Sequence, residues 1–374
     1  MIDTLLVLNS GSSSLKFQVF SVDGLEMLAR GKAVRLGEAA PVMDAEVVGG
    51  ASEHVELAPG ADHEVALSAA LAFVDRRDAA WRMRAVAHRV VHGGDRFVDP
   101  VIVTPDVFDA LEKLSPLAPL HQPHNLAAVS AAQRLLGDVV SVACFDTAFH
   151  ARREPLFHDF ALPRDLRERG VRRYGFHGLS YHWVERTLAA DHPALHAGRV
   201  VAAHLGNGAS LCAMAAGRSV DTTMGMTALD GLPMGTRCGA LDAGAVLYLL
   251  QALGMSAEEV SSALYERSGL LGLSELSNDV ETLLASTDPR ARFALAFFEM
   301  RVAQFAAAMA AAMGGIDALV FTGGIGEHAA PVRRAIVERL RFLGPFEALV
   351  VKANEERVMA VEATELLART GVLG

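Results

Sequence analysis

The stretch "DTLLVLNSGSSSLKFQVFSVDG", residues 3–24, decides the fold. Its apolar run Leu5–Leu8 ends at Asn9, and one glycine and four serines follow before apolar and polar residues begin to alternate at Leu15. Such alternation is typical of a strand with one buried face. The pattern predicts two strands joined by a tight turn. A P-loop is excluded, because the turn lacks the G-K-[ST] ending and leads into a strand rather than a helix.

The turn between these strands can be interpreted in two ways. Its N–H groups and serine hydroxyls could bind a phosphate, with Asn9 and Lys16 beside a metal ion or a phosphate. It could equally be an ordinary serine-rich turn. A second segment, "GRVVAAHLGNGASLCAMAAGRSVDTT", runs strand, small-residue turn and strand in the same order, and its residues 207–210 correspond to residues 9–12. We therefore expect duplicated halves, which, if they faced one another, would bring both turns to one cleft.

The length, net charge and cysteine content of the chain indicate what kind of protein it is. At 374 residues it exceeds the roughly 250–300 residues that one hydrophobic core serves, so two domains are expected. The formal net charge of −10 makes non-specific binding of nucleic acid unfavourable. The three cysteines are widely spaced without a C-x-x-C motif, which fits a reducing compartment. Neither a signal peptide nor an apolar run of about 18 residues is visible, so we expect a cytoplasmic protein without a transmembrane helix.

Two glycine-rich segments follow apolar strands. They are "HLGNGAS", residues 204–210, and "FTGGIGEH", residues 321–328. Glycine lets a backbone approach a ligand closely, and the second segment is expected to be a turn leading into a helix whose N-terminus favours an anion. Because the chain contains neither a Walker A motif nor G-x-G-x-x-G, these turns predict a nucleotide site of another kind.

Arg89 lies in the apolar strand predicted for "MRAVAHRVVHGG". A buried arginine is costly without an anionic partner, so it either pairs with a structural carboxylate or receives a carboxylate or phosphate of a substrate. His88 and His92 resemble an H-x-x-x-H metal motif. In a strand, however, residues four apart are separated by about 13 Å. The position after the first histidine is also arginine where a zincin has glutamate, so a metal site is rejected here.

Other polar side chains are predicted on loops or at strand ends. Asp146 follows the buried strand in "DVVSVACFDTAFH", where it could serve polar chemistry or cap the next segment. His177 in "YGFHGLS" and Arg237 in "DGLPMGTRCG" lie in glycine-flanked loops. His121 and His124 precede a helix that they could cap. Cations around a moving phosphoryl group and an acid near the nucleophile are what phosphoryl transfer needs, so these residues indicate that chemistry.

These motifs match a known family. The chain closely resembles the acetate kinases over residues 5–370, on nine motifs in the family's order: "LNSGSSSLKF", "HRVVHGG", "HQPHN", "FDTAFH", "YGFHGLS", "HLGNGAS", "DTTMGMTALDGLPMGTRCG", "FTGGIGEH" and "ANEE". The family belongs to the sugar kinase/Hsp70/actin fold group. The resemblance implies an α/β fold of two duplicated ribonuclease H-like, actin-like ATPase domains with a nucleotide cleft between them. It places the substrate side in residues 1–148 and 357–374, and nucleotide binding and dimerisation in residues 149–356.

The resemblance also implies roles for individual residues. The catalytic residues are Asp146, His177, Arg237 and His121. The acetate is bound by Arg89 and by an apolar wall of Val91, Leu120 and Phe176. The metal is associated with Asn9 and Glu355, and the nucleotide phosphates with Lys16. The ATP-binding segments are formed by His204, Leu205, Gly206, Asn207 and Gly208, by Asp279, Val280 and Glu281, and by Gly323, Gly324, Ile325, Gly326 and Glu327.

The chain departs from the family pattern at three places. Glu281 stands where the family usually has arginine, which bears on adenosine contacts and nucleotide preference. The usual "GTSH" reads "GLSY" here, so Tyr181 replaces a histidine. Ala228 stands where proline is common, and the smaller side chain could admit propionate. One methylene group discriminates by only about 1–3 kcal/mol.

The resemblance implies an ATP:acetate phosphotransferase that works reversibly by direct in-line displacement. ATP/ADP is the expected nucleotide and Mg²⁺, or Mn²⁺ in its place, the expected metal. Acetate and acetyl phosphate are the expected partners of a cytoplasmic homodimer that binds neither nucleic acid nor membranes. The alternatives are a propionate or butyrate kinase, a non-catalytic actin-like nucleotide-binding protein, and a metallohydrolase built from the 14 histidines.

Overall fold

The computed structural model describes residues 1–11, 13–77, 81–119 and 121–372. They form two compact units, one of Met1–Ala148 with Asn354–Gly374 and one of Phe149–Ala353. The last segment joins the first unit from Asn354, earlier than the boundary at residue 357 expected from the sequence. Glu355 therefore belongs to the first unit.

Both units contain strands and helices. The strands are β1 (Ile2–Ser10), β2 (Ser14–Ser21), β3 (Met27–Val34), β4 (Val42–Val47), β5 (Ser52–Glu56), β6 (Trp81–Val90), β7 (Val101–Ile102), β8 (Val140–Phe145), β9 (Arg199–Leu205), β10 (Ala209–Ala215), β11 (Arg218–Thr222), β12 (Ala318–Thr322) and β13 (Glu347–Val350). The helices are α1 (His63–Arg77), α2 (Pro105–Glu112), α3 (Gln122–Leu136), α4 (Pro155–His158), α5 (Arg164–Glu168), α6 (Gly178–Asp191), α7 (Pro193–His196), α8 (Ala243–Gln251), α9 (Ala257–Glu266), α10 (Gly269–Ser274), α11 (Val280–Ala285), α12 (Pro289–Met313), α13 (Gly323–His328), α14 (Ala330–Arg339) and α15 (Glu355–Arg369).

The first unit is built on a mixed sheet of eight strands in the order β5-β4-β3-β2-β1-β6-β8-β7. Strands β1 to β5 form an antiparallel meander, whereas β1, β6 and β8 run parallel. The alternation in β2 is confirmed, since Leu15, Phe17 and Val19 are buried in a core shared with α1 and α3. Strand β1 is buried on both faces, because α15 also packs against it.

The second unit repeats this arrangement on a sheet of five strands in the order β11-β10-β9-β12-β13. Strands β9, β10 and β11 form the antiparallel meander, and β9, β12 and β13 run parallel. The strand order third-second-first-fourth-fifth is also that of β3-β2-β1-β6-β8 in the first unit. The predicted α/β fold with duplicated domains is thereby confirmed, and β4, β5 and β7 are additions to the first copy.

Helix starts follow local capping chemistry. Thr104 accepts a hydrogen bond from a main-chain N–H of α2 with proline at the next position, as the Thr-Pro signal predicts. Ser256 and Glu259 form a reciprocal capping box at α9. Asp288 caps α12 ahead of another proline. These caps satisfy N–H groups that a helix start leaves without an internal partner.

Helix α12 spans 25 residues and packs against α10, α11, α14 and strands β9–β11. Its buried residues recur at helical spacing, as at Ala291, Ala294, Phe298 and Val302. By length and composition it could cross a membrane, which the sequence analysis does not expect for any segment, and it is the single such helix in the described ranges. Its buried stripe explains the apolar composition as that of a core helix.

One expectation for the second unit is wrong. The segment Gly323–His328 is helix α13 and not an open turn. Gly323 has a φ of +78°, and a Cβ on it would lie 2.8 Å from the carbonyl oxygen of Leu205, so glycine permits close packing on β9. Helices α10 and α11 are not predicted, because six residues are too few to show a helical period.

Candidate active site

Arg89 and Asp146 are brought together by two parallel strands. Arg89 is the penultimate residue of β6, and Asp146 directly follows β8, which pairs with β6. Because parallel neighbours end at the same edge of a sheet, both side chains reach one point. Nε of Arg89 lies 3.0 Å from Oδ1 of Asp146, and Nη2 lies 2.6 Å from Oδ2. The two side chains form a bidentate ion pair.

Three further side chains complete a polar cluster in the first unit. Asn9 stands near the end of β1, next to β6, and its Oδ1 accepts a hydrogen bond of 3.2 Å from Nη1 of Arg89. The same Nη1 lies 3.4 Å from Oε2 of Glu355, and Nδ2 of Asn9 donates to Oε1 of Glu356 at 3.0 Å. Both glutamates come from the start of α15. We refer to Asn9, Arg89, Asp146, Glu355 and Glu356 as the Arg89 cluster.

Burial and charge set the protonation of the central ion pair. Only 3% of the Asp146 side chain and 21% of the Arg89 side chain are exposed. Burial raises the pKa of Asp146, and the Arg89 guanidinium offsets that rise only in part. Burial by itself would lower the pKa of Arg89, but the charges of Asp146 and Glu355 outweigh it and raise that pKa. Arg89 is therefore cationic at every physiological pH.

The Arg89 cluster fits a magnesium ion. Mg²⁺ takes oxygen ligands, keeps several waters and is usually bound by one or two carboxylates plus substrate phosphates. The carboxamide oxygen of Asn9 and the carboxylate of Glu355 suit that chemistry. The hydroxyl of Ser10 is buried without a hydrogen-bond partner among the described residues, but it follows Asn9 in β1 and neighbouring residues of a strand point to opposite faces, so it is not counted as a ligand. In those residues no group of three or more His, Cys, Asp or Glu side chains could hold a metal, so a metal here depends on substrate oxygens.

The other predicted residues of the first unit lie outside this cluster. Lys16 lies across from the end of β1, and its side chain is exposed. Val91 is buried, and its N–H donates to Oδ1 of Asn125 at 3.0 Å. His121 is the residue before α3, but its side chain makes no capping hydrogen bond, so its interpretation as a helix cap is wrong. Leu120 lies outside the described residues.

His88 and His92, the two histidines of the H-x-x-x-H pattern, each have a hydrogen-bond partner within the first unit. Nε2 of His88 lies 3.3 Å from Oγ of Ser141, and Nδ1 of His92 accepts a hydrogen bond of 2.9 Å from the N–H of Gly94. Burial lowers the pKa of His88 to about 3 and that of His92 to about 4. Both imidazoles are therefore neutral parts of the core.

In the second unit, two histidine rings are stacked and held by crossed hydrogen bonds. The ring centroids of His177 and His204 are 4.2 Å apart. Nδ1 of His177, at the start of α6, lies 2.8 Å from Oγ of Ser210 on β10. Nδ1 of His204, on β9, lies 2.8 Å from Oγ of Ser180 in α6. The helix start and the strand pair are thus tied together twice, and both rings are fixed.

Gly208 and Arg237 lie next to the ring of His177. A Cβ on Gly208 would lie 3.3 Å from Nε2 of His177 and 3.9 Å from Nη1 of Arg237. Glycine therefore leaves room beside both groups. Nη1 of Arg237 also donates to the carbonyl oxygen of Ala228 at 3.0 Å, which holds the guanidinium in place. An imidazole and a guanidinium beside one bare backbone segment can bind an anion.

The predicted nucleotide segments of the second unit lie close together. Strands β9 and β12 are parallel neighbours with His204 opposite Thr322, so the segments that follow them start at the same sheet edge. Oε1 of Glu327 accepts a hydrogen bond of 2.9 Å from the N–H of Ala353. A Cβ on Gly235 would lie 2.3 Å from Oδ1 of Asn207 and 3.4 Å from Cβ of Asn278, so this loop lies between residue 207 and the segment that begins at 279.

Residues 279–281 form the start of α11. Oδ2 of Asp279 accepts hydrogen bonds from the N–H and the hydroxyl of Thr282, at 2.9 and 2.7 Å, and these bonds lower the pKa of Asp279. Val280 is buried, whereas Glu281 is exposed. The carboxylate of Asp279 is therefore a helix cap, and the exposed side chains of Asp279 and Glu281 are the ones a ligand could contact.

His150 supports the loop that leads to His177. Its Nε2 lies 3.0 Å from the carbonyl oxygen of the buried Phe176, and its Nδ1 lies 2.8 Å from Oγ of Ser219. Burial lowers the pKa of His150 to about 3. The neutral ring therefore donates from Nε2 to Phe176. His177 itself has a φ of +59°, a left-handed conformation that few residues other than glycine adopt.

Several residues of these clusters are given no role by the sequence analysis. Glu356 bonds to Asn9 in the first unit, and Ser180, Tyr181 and Ser210 support the two histidine rings in the second. The available signals were the second glutamate of "ANEE" and the hydroxyl residues of "GLSY", which mark a departure from the family pattern.

Comparisons with known proteins were made on sequence and on structure. The model of the acetokinase family matches residues 4–365. The acetate kinase of Rhodopseudomonas palustris (strain TIE-1) is 48% identical over 349 residues, which cover 92% of this chain and 88% of that protein. The crystal structure of Porphyromonas gingivalis acetate kinase has a TM-score of 0.86 at 34% identity and covers 98% of this chain and 100% of that one.

A propionate kinase from Francisella tularensis subsp. tularensis SCHU S4 is similar as well. Its crystal structure has a TM-score of 0.90 at 34% identity and covers 96% of this chain and 99% of that one. The resemblance inferred from the nine motifs is confirmed by these matches. The chain belongs to the acetokinase family.

Proposed function

We propose that this chain is an acetate kinase, which transfers the γ-phosphoryl group of ATP reversibly to acetate and forms acetyl phosphate and ADP. Membership of the acetokinase family and the names of its relatives support this activity. The observation that carries the proposal is the guanidinium of Arg89, largely buried and held by Asp146 at the end of two parallel strands.

Asp146 determines which edge of Arg89 is available to a substrate. It occupies Nε and Nη2, the side-on edge. A planar guanidinium has a second, end-on edge of Nη1 and Nη2, which can hold a carboxylate by two hydrogen bonds. Nη1 also donates to Oδ1 of Asn9 at 3.2 Å and lies 3.4 Å from Oε2 of Glu355, so a bound acetate would share Nη1 with these groups. We assign the acetate carboxylate to that edge. Asp146 then orients Arg89. It need not act as a base, because the carboxyl group of acetate, with a pKa of about 4, is already ionised at neutral pH.

His177 and Arg237 are assigned to the transferred group. In an in-line displacement, a bond forms between an acetate oxygen and the γ-phosphorus while the bond to the β–γ bridging oxygen breaks, and ADP leaves with that electron pair. Charge spreads over the three equatorial oxygens. Nε2 of His177 and the guanidinium of Arg237, side by side at Gly208, are placed to donate hydrogen bonds to them. No proton is transferred in this step.

The remaining predicted residues keep their assignments as part of this proposal. Asn9 and Glu355 would hold Mg²⁺, which when bound neutralises charge on the phosphates. The segments after β9 and β12 would hold the nucleotide, which is supported by their adjacency at one sheet edge. Val91, Leu120 and Phe176 are assigned to the apolar wall, and His121 to the catalytic residues, by resemblance.

We also assign a cytoplasmic homodimer to this chain. Helix α8 has the sequence "AGAVLYLLQ" and no buried residue in its unit. Leu247 and Tyr248 are 52% and 58% exposed. Covering such a surface with the same surface of a second copy is the commonest arrangement of soluble oligomers. The net charge of −10 and the core position of α12 support the absence of nucleic-acid and membrane partners.

Formation of acetyl phosphate tests the activity directly. The enzyme is incubated with ATP, Mg²⁺ and acetate, and acetyl phosphate is trapped with hydroxylamine as the hydroxamate. Arg89→Ala should reduce kcat/KM for acetate by roughly a hundredfold or more, since it removes a charged donor from the substrate. Arg82→Ala on the same strand, whose side chain is exposed and paired with Asp3, is the matched control and should leave kcat/KM unchanged.

Two results would contradict the proposal. Bound ATP without any hydroxamate would favour a non-catalytic actin-like protein. A kcat/KM for propionate or butyrate well above that for acetate would favour a kinase of those acids, which agrees with the alanine at position 228 where the family commonly has proline.

A further inference from the structure

His177 stands at the end of a chain of hydroxyl groups that begins at Tyr181. Nδ1 of His177 lies 2.8 Å from Oγ of Ser210, and that Oγ lies 2.5 Å from the hydroxyl oxygen of Tyr181. Tyr181 and Ser210 are both fully buried. A buried hydroxyl that bridges two partners has little freedom to rotate, so the direction of the hydrogen bonds along this chain has consequences for the ring.

Each hydroxyl group has one proton, which allows the direction to be worked out. Burial raises the pKa of Tyr181 well above its usual value, so the phenol keeps its proton, and a phenol O–H is a stronger donor than the hydroxyl of a serine. That proton is then available to Ser210. Ser210, whose oxygen accepts from Tyr181, has its own proton left for Nδ1 of His177.

An imidazole nitrogen that accepts a hydrogen bond carries no proton. The neutral ring of His177 is then protonated on Nε2, the nitrogen on the side of Gly208 and Arg237. If the hydrogen bonds ran in the opposite direction, Nδ1 would donate to Ser210. Nε2 would then present a lone pair towards Gly208 and Arg237. A lone pair there would repel an anion, whereas an N–H group attracts one.

We propose that Tyr181 and Ser210 fix His177 as the tautomer protonated on Nε2, so that the face shared with Arg237 and Gly208 always presents a donor. Tyr181 and Ser210 are thus positioning residues that act through His177. The catalytic meaning of this arrangement rests on the proposed function, in which His177 contacts the transferred phosphoryl group. The tautomer itself is a property of the protein without substrates.

The stacked His204 does not compete for the same hydroxyl. Its Nδ1 has a separate partner in Ser180, at 2.8 Å. The two rings are therefore set independently, and a change at Ser210 should alter His177 first. This separation makes the spectroscopic test specific for one ring.

The tautomer can be read by NMR on enzyme labelled with ¹⁵N-histidine. Two-bond ¹H–¹⁵N spectra, recorded at a pH high enough for neutral imidazoles, distinguish a ring protonated on Nε2 from one protonated on Nδ1. A His177→Gln variant identifies the signals of His177. We expect the Nε2-protonated pattern in the parent enzyme and a mixture of the two tautomers in Tyr181→Phe and in Ser210→Ala.

Kinetics supply the second readout. Tyr181→Phe and Ser210→Ala should lower kcat roughly tenfold to a hundredfold with little change in KM for either substrate, because the lost donor acts in the transition state. Tyr174→Phe is the matched control: it also removes a buried hydroxyl from this unit, one that donates to the carbonyl oxygen of Gly170 at 3.0 Å. It should change neither the spectrum of His177 nor kcat.

The outcomes separate the two proposals. An Nδ1-protonated or doubly protonated His177 in the parent enzyme overturns this inference, as does an unchanged tautomer in both Tyr181→Phe and Ser210→Ala. An enzyme that shows the expected spectra but forms no acetyl phosphate overturns the proposed function and leaves the assignment of the tautomer standing.

Discussion

Replacing Arg89 by alanine should destabilise the first unit by an amount that depends on pH. The substitution leaves the carboxyl group of Asp146, 3% exposed, without the guanidinium that compensates its charge. Removing one partner of a buried ion pair costs about 3–5 kcal/mol in the free energy of unfolding. That range applies while Asp146 is ionised.

Protonation of Asp146 at low pH should reduce this loss of stability. Burial already raises the pKa of Asp146, and Arg89 works against that rise, so the pKa should increase further in the variant. Because the folded variant then binds this proton more tightly than the unfolded chain, its stability is highest below the ordinary carboxyl pKa. It falls as the pH rises through the raised value. The loss of stability relative to the parent should therefore be larger at about pH 8 than at about pH 5.

The measurement needs a reporter in the first unit. The chain has two tryptophans, Trp81 in β6 of the first unit and Trp183 in α6 of the second. In a Trp183→Phe background, urea unfolding followed by fluorescence therefore reports on the sheet that carries Arg89. Arg82→Ala is the control and should show little change at either pH. Equal losses for Arg89→Ala at both pH values would refute the reasoning, since Asp146 would then gain nothing from a proton.

Three further outcomes are expected. The parent protein should lose stability as the pH falls below about 6.5, because the folded state keeps neutral some imidazoles that become protonated in the unfolded chain. Urea midpoints that do not move between about pH 7 and pH 5 would contradict this. The lowered pKa values are about 3, 4 and 3, for His88, His92 and His150. Gly208→Ala should lower kcat at least roughly tenfold with little loss of stability, since its Cβ would crowd His177 at 3.3 Å. Gly50→Ala, with an equally close contact at 3.3 Å in the β4–β5 hairpin of the first unit, should not change kcat, and equal kcat values for the two variants would argue against the crowding. Tyr248→Asp should convert the proposed dimer into a monomer in light scattering, and a mass that stays dimeric would place the interface away from α8.

The strand framework could be predicted because it depends on local pattern. Alternation in β2 and the repeated order of strands and small-residue turns predict two related sheets, and both sheets share one strand order. The positions of Arg89 and Asp146 near two strand ends could be predicted for the same reason. Their pairing could not, because the choice between a structural carboxylate and a substrate depends on which strands become neighbours.

The hydrogen bonds that hold the two histidine rings could not be predicted from local sequence pattern. His177 and Ser210 are 33 residues apart, and Ser180 and His204 are 24 apart, so their bonds exist only after α6 packs beside β9 and β10. Helix α13 is missed for a different reason. Three of its six residues are glycine, which disfavours a helix in isolation, and packing on β9 overrides that preference.

The return of α15 to the first unit has a consequence for biosynthesis. Asn9 and Glu356 are bonded to each other across 347 positions of the chain. On a ribosome, Asn9 and Arg89 emerge early, while the two glutamates emerge only after the whole second unit has been made. One face of β1 therefore stays exposed until α15 has been synthesised and packs against it. A chain interrupted late in translation would carry a folded second unit beside an incomplete Arg89 cluster, and such a fragment offers quality-control proteases an apolar sheet face to recognise.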